Sequence, residues 1–260
     1  MRKSLGLLAV LTLCGVALVI SGAAGASRHA AAGTSFKFCD NPTFPPMEST
    51  TTGGKPVGFD IDMANALAKQ MGGKATYVFS SFSGLLPALS AGRCDVVISG
   101  IFITPDRVKQ FPAIAYMNSH RALVVAGGNP KHISSPNALK GKSVAVQAGT
   151  KYQQYLQGLQ KKLGFTLRSY PGDTDAIGQI LVGRSDAVLT QDTEAAYQMS
   201  QHSGKVAIGY LFPQTDKFGV YYKRGAAIGG QIKSALAALK KNGTMASLAK
   251  KYNIPVGDVK

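Results

Sequence analysis

Two stretches of this chain follow one plan. Residues 91–99 read AGRCDVVIS and residues 182–190 read VGRSDAVLT. Each has a helix end, a Gly-Arg turn, an aspartate and a buried apolar strand. The echo is too short for a solenoid repeat, but it sets the same helix-to-strand unit into both halves of the chain. Around it, strand and helix patterns alternate. Strands are predicted at Phe36–Cys39, Thr76–Phe79, Asp95–Ser99, Lys142–Gln147, Phe165–Tyr170 and Asp186–Thr190. Helices are predicted from Asp60, as its cap, to Met71, from Leu85 to Ala91, and from a Thr104-Pro105 cap. Further helices run from Gly149-Thr150 to Leu163, from Thr174 to Val182, from Asp192 towards Gly204, and from Ile228 to Tyr252 with a break at Asn242-Gly243. This alternation implies an α/β fold with mainly parallel sheets. In such sheets ligands sit beyond the carboxyl ends of the strands, so two lobes of this kind facing each other form a cleft.

With 260 residues, 45% of them hydrophobic, the chain can bury one large core or two small ones. Its 29 Lys and Arg against 13 Asp and Glu raise the question of an anionic partner. The basic residues are scattered, however, and the densest pairs (Lys161-Lys162, Lys240-Lys241, Lys250-Lys251) fall late in helices, where they complement the dipole. No nucleic-acid motif accompanies them, so no nucleic acid is expected as partner. At the N-terminus Arg2-Lys3, an apolar run from Leu5 to Ile20 and small residues ending at Ala24-Gly-Ala26 have the three parts of a secretory signal. Residues 1–26 are therefore expected to be removed and the mature chain exported. Cys14 follows Leu13 inside the apolar run, which does not suit a lipid anchor.

Several residues fall where chemistry could occur. Arg107 lies in the first turn after Thr104-Pro105, where a guanidinium can grip a carboxylate bidentately; an ordinary surface arginine fits the same pattern. Gly149-Thr150, at a strand-to-helix junction, offers backbone N–H groups to an anion, or is a simple cap. Asp192 directly follows a strand and can pair with an ammonium group, or cap its helix. Phe44 and Phe82 lie on loops after strand segments, where aromatics often meet ligands. The four histidines have no metal-ligand spacing, and neither a nucleophile elbow nor a P-loop is present. No metal or cofactor is expected.

Taken in order, the motifs resemble the polar amino-acid-binding family of bacterial extracellular solute-binding proteins, family 3. The matching pieces are residues 41–46 (NPTFPP), 58–62 (GFDID), 85–89 (LLPAL) with 92–95 (GRCD), 103–107 (ITPDR), 139–150 (LKGKSVAVQAGT), 183–187 (GRSDA) with Gln191-Asp192, and 242–244 (NGT). The resemblance implies a periplasmic-binding-protein-like fold of two α/β lobes joined by two crossover strands around a ligand cleft. The first lobe would hold 27–118 and 219–260, the second 119–218. It implies that Arg107 and Thr150 bind the ligand carboxylate, that Asp192 binds its ammonium, and that Phe44 and Phe82 sandwich its side chain. Ser99 and Gly100 would line the cleft, and Asn41, Gln147 and Gln191 would read the side chain. Phe102 departs from the family, which usually has Ser or Thr there, and Lys151 stands at a position often small or hydroxylic.

The expected function is that of a monomeric periplasmic receptor that hands a small amino-acid-like ligand to a membrane ABC permease. Uncharged Asn41, Gln147 and Gln191 favour a neutral side chain such as glutamine, and Lys151 puts an acidic one second. The alternative is a cyclohexadienyl dehydratase-like enzyme on the same scaffold, which needs a cleft acid; Glu194 is the available carboxylate. The implied sheet also argues against a disulfide between Cys39 and Cys94. Aligning the strand ends at Asp40 and Gly100 offsets the two by about 16 Å at ~3.3 Å per residue, and a disulfide needs Cα atoms within roughly 7 Å.

Overall fold

The computed structural model describes residues 33–259; the leader expected at 1–26 lies outside them. The first half carries β1 (Ser35–Asp40), a small hairpin of β2 (Ser49–Thr50) and β3 (Pro56–Val57), α1 (Phe59–Gln70), β4 (Lys74–Phe79), α2 (Leu85–Ser90), β5 (Val96–Val97) and α3 (Pro105–Gln110). A long strand β6 (Ala113–Ala126) leads into the second half. There follow β7 (Ser143–Gln147), α4 (Lys151–Leu163), β8 (Thr166–Tyr170), α5 (Asp173–Leu181), β9 (Ala187–Gln191) and α6 (Asp192–Gln201). Strand β10 (Val206–Tyr222) returns to the first half, which ends with α7 (Ile228–Lys241) and α8 (Thr244–Lys251).

The sheet order is β4-β1-β5-β10-β6-β9-β7-β8. Its two ends are parallel: β1 pairs with β4 and β5, and β7 with β8 and β9. Between them β6 and β10 pair antiparallel from Ala113–Tyr221 to Ala126–Val206. At 14 and 17 residues they are far longer than an ordinary strand of about 5–6. They pass through both lobes, joining β5 on one side and β9 on the other. Register breaks at Ile208/Tyr210, Leu211/Thr215 and Phe218/Gly219 interrupt this ladder, and such bulges let a strand pair bend. The fold is thus two parallel α/β lobes on an antiparallel two-strand connection.

Each lobe is built by alternation. In β1, Phe36 and Phe38 face a core that includes Phe59, Met63 and Leu67 of α1, while Cys39 faces Leu85 and Leu89 of α2. Helix α3 is capped as expected, with Thr104 Oγ1 accepting from the Arg107 N–H. Helix α1 is not. It starts after Gly58, whose φ of 138° and close approach to Met47 leave no room for a Cβ. Asp60 is no cap but fully buried, accepting from the Gly100 N–H and the Tyr116 hydroxyl at 2.7 Å each.

Cys39 and Cys94 form a disulfide, against expectation, with Cα atoms 5.6 Å apart. Two errors added up. The true register sets Cys39 against Val97, so the strands are not aligned at their ends. Moreover β5 is only two residues long, and Cys94 precedes it, in the turn after α2, packed with Leu85 and Leu89 over the face that Cys39 presents. A rise-per-residue argument does not apply to a residue outside the strand.

Candidate ligand-binding site

The carboxyl ends of β1 and β5 meet those of β7 and β9 at one cavity. From the first lobe Phe44, Phe82, Ser99, Gly100, Phe102 and Arg107 reach its wall; from the second, Gln147, Thr150, Lys151 and Gln191. Gly100, at φ 51°, donates its N–H to Asp60, and a Cβ there would come within 2.9 Å of the Phe44 ring. A bare backbone is what lets Phe44 lie against the strand end.

Arg107 is half-buried. Its Nη1 donates to the Phe102 carbonyl at 3.0 Å, and its guanidinium lies 5.7 Å from the centre of the Phe82 ring. Burial lowers its pKa below the ordinary value, but a guanidinium keeps its charge. Among the described residues the ion pairs join Arg121 to Asp216, Lys151 to Asp106 and Lys251 to Asp62; none of them includes Arg107. It is a cation at the cavity wall held in place by a carbonyl, with its charge left to be matched. Thr150 caps α4, accepting from the Gln153 N–H and donating to the Gln147 carbonyl at 2.8 Å. The Gly149 N–H, expected to be free for an anion, is taken by Gln153 Oε1 at 2.8 Å.

Two expected residues are not brought to the wall. Asn41 has its polar atoms occupied: its side-chain N–H donates to the Ser80 carbonyl, and its Oδ1 accepts from Thr43 and from Gln147 Nε2. Asp192 accepts from the Ser119 hydroxyl at 2.8 Å and from the Thr193 N–H at 2.9 Å. Both carry groups that a sequence reading aims at a ligand, and both find partners inside the protein.

Three wall residues were not foreseen: Glu48, Tyr152 and Asp173. Glu48 is 1% exposed; its Oε1 accepts from the Ser99 hydroxyl at 2.7 Å, and its carboxyl also shares a hydrogen bond with Asp60. Burial pushes its carboxyl well above the usual range, helped by Asp40 and Asp60 behind it. Asp173, at the start of α5, accepts from the Thr190 hydroxyl at 2.8 Å, and burial raises it to about 7. Gln191 and Tyr152 share a side-chain hydrogen bond at the wall. Asp173 after Pro-Gly has the pattern of any helix start, and Glu48 that of any turn acid, so neither stood out. Glu194 is fully buried, bonded to Gln198, and is not a wall residue.

The lobes touch around the cavity. Gln147 Nε2 donates to Asn41 Oδ1 at 2.8 Å, the Thr174 N–H to the Thr43 carbonyl at 3.1 Å, and Lys151 Nζ to Asp106 at 3.1 Å. The Phe102 ring meets Tyr152 edge-on at 5.3 Å. The form is closed, and the space left is about 20 Å³, room for about one water.

Among known proteins, the chain is 30% identical over 255 residues to the lysine/arginine/ornithine-binding periplasmic protein of Escherichia coli (strain K12), covering 93% of this chain and 96% of that protein. Its structure is similar to that of an ancestral arginine-binding protein bound to arginine, with TM-score 0.79 and 34% identity over 84% of this chain and 97% of that one. It is also similar to the ancestral amino acid-binding protein AncCDT-1, described as a precursor of cyclohexadienyl dehydratase, with TM-score 0.77 and 29% identity over 84% and 95% of the two chains. The family model for bacterial extracellular solute-binding proteins, family 3, matches residues 36–255. With two lobes, two crossover strands and a cleft at the strand ends, this chain belongs to that family.

Proposed function

We propose that the protein is the exported binding component of an ABC transporter, closing as a monomer over one polar amino acid and passing it to a membrane permease. The lobes would be residues 27–118 with 219–260, and 119–218. In support, Asn118 pairs with Lys217 in the β6–β10 ladder, so the two division points face each other. A leader with the parts of a secretory signal supports export, and no helix among the described residues is long and apolar enough to cross a membrane.

The single observation that carries the binding reading is the Arg107 guanidinium, in no ion pair among the described residues, at the wall of an interlobe cavity that also presents the polar groups of Glu48 and Gln191. A carboxylate meets the guanidinium, and a polar side chain meets Glu48 and Gln191. Glutamine fits first. Burial disfavours a negative charge on both Glu48 and Asp173, raising Asp173 to about 7, and an amide needs none. A cationic side chain, such as those bound by the lysine/arginine/ornithine-binding relative, comes second, since it must first ionise these acids. An acidic side chain, for which only Lys151 speaks, comes last. Calorimetry at pH 7 with glutamine, arginine and glutamate tests this. Binding of glutamine is expected to be tightest. Binding of none of the twenty amino acids by protein stripped of bound ligand overturns the amino-acid reading. The enzyme alternative loses Glu194, which is not at the wall, but Glu48 and Asp173 place carboxyls there; formation of an aromatic product from prephenate or arogenate would favour it.

A further inference from the structure

Phe102 sits two residues beyond Gly100, and its backbone is pinned. Its carbonyl accepts from both Arg107 Nη1 and the Tyr221 hydroxyl. Its ring is also held, by the crossover strand β10 and by helix α4. It stacks on Phe218 of β10 at 5.1 Å and 18°, and meets Tyr152 of α4 edge-on at 5.3 Å and 88°. Phe218 is itself fully buried and tilted against Tyr116. A ring braced in this way in a close-packed interior has nowhere to turn. The same residue thus fixes Arg107, where a ligand carboxylate is gripped, and forms the wall past which the ligand side chain must run.

We propose that Phe102 sets the length of the ligand side chain over which this cleft can close, admitting short polar chains and rejecting long ones. The proposal rests on the amino-acid-binding reading above. A ligand anchored at Arg107 reaches towards Glu48 and Gln191 beside a ring that, with Tyr152, leaves a cavity of about 20 Å³. A small opening of the lobes accommodates an amide of glutamine length. A guanidinium, further along the chain, forces Phe102 and Tyr152 apart, and with them the Gln147–Asn41 contact that joins the lobes. A serine or threonine at 102 places no ring there.

The test is the ratio of dissociation constants for glutamine and arginine in wild type, Phe102→Leu and Phe102→Ser. The wild type is expected to prefer glutamine by about tenfold or more, the range in which a pocket wall discriminates one or two chain atoms. Phe102→Ser should bring the ratio to about one or invert it, with Phe102→Leu between. Because Phe102→Ser opens a buried site, Tyr152→Ala, which removes the other half of the wedge, provides a second arm and should relax the ratio in the same direction. Thermal melts identify any variant that has not folded. An unchanged ratio in the folded variants overturns the proposal. A wild type that binds no amino acid beside a Phe102→Ser variant that binds arginine supports it while overturning the glutamine reading; binding of no amino acid by any of the four proteins overturns both.

Discussion

Removing the disulfide should lower stability strongly, by an amount that its place in the chain predicts. Cys39 and Cys94 are 55 positions apart. In the chain-entropy account, closing a loop of that size in the unfolded state is worth about 4 kcal/mol at 25 °C. The perturbation is Cys39→Ala with Cys94→Ala. Alanine is preferred to serine because both positions are buried among Leu85, Leu89 and Tyr221, and a buried hydroxyl would add a penalty of its own. Two lost sulfur atoms leave a small void, adding roughly 1 kcal/mol. The total, about 4–5 kcal/mol, corresponds to a fall of roughly 10–20 °C in Tm for a chain of this size. Urea unfolding monitored by far-UV circular dichroism measures it, in parallel with wild type treated with reductant. The bond also ties β1 to the turn before β5, the strands whose ends carry Asn41, Ser99 and Gly100, so ligand affinity should weaken as stability falls. If the double variant and reduced wild type both unfold within about 1 kcal/mol of the oxidised protein, the loop-closure reasoning fails.

Arg107→Ala should weaken ligand binding by about 2–5 kcal/mol, or roughly 30- to 5,000-fold, without unfolding the protein, because it leaves a desolvated carboxylate unpaired; a loss of only a few-fold in calorimetry would remove Arg107 from the carboxylate site. Asp173 has its pKa raised from 3.8 to about 7 in the folded chain, so between about pH 4 and pH 7 the native state holds more protons than the unfolded one and stability falls as pH rises through that window. Asp173→Asn, which can still bond Thr190, should flatten this part of the slope and stabilise the protein at pH 8 relative to pH 5. Asp60, also near 7, and Asp40, Glu48 and Glu194, raised by burial as well, keep the remainder. Urea melts at the two pH values that show the same difference for wild type and variant would contradict the assignment.

The helices and the parallel strands were legible because local periodicity, caps and turn residues determine them, whereas the long strands β6 and β10 were implied only by the family resemblance. Thr104-Pro105 and Thr150 cap their helices as read, and the paired Gly-Arg turns lead into β5 and β9. Chain order put Arg107 near a strand end, but an ordinary surface arginine fitted the same pattern, and it was the family resemblance that pointed it at the cleft. By itself the sequence pattern determined the α/β class, and with the family resemblance it pointed to the cleft and to most of the residues that line it. The partners of polar side chains were decided only by tertiary structure. Asn41 and Gln147 look like ligand readers, yet they bond each other across the lobes. Asp192 looks like an ammonium partner, yet it accepts from Ser119, 73 residues away. Asp60 looks like a cap and is the buried acceptor for Gly100. Hydrogen bonds of this kind depend on register and on a few tenths of an ångström, which no local pattern encodes. The same holds for Cys39 and Cys94, whose pairing turned on a strand register and a turn. It holds also for Glu48 and Asp173, ordinary acids in the sequence whose raised pKa values arise from burial that only the assembled lobes impose.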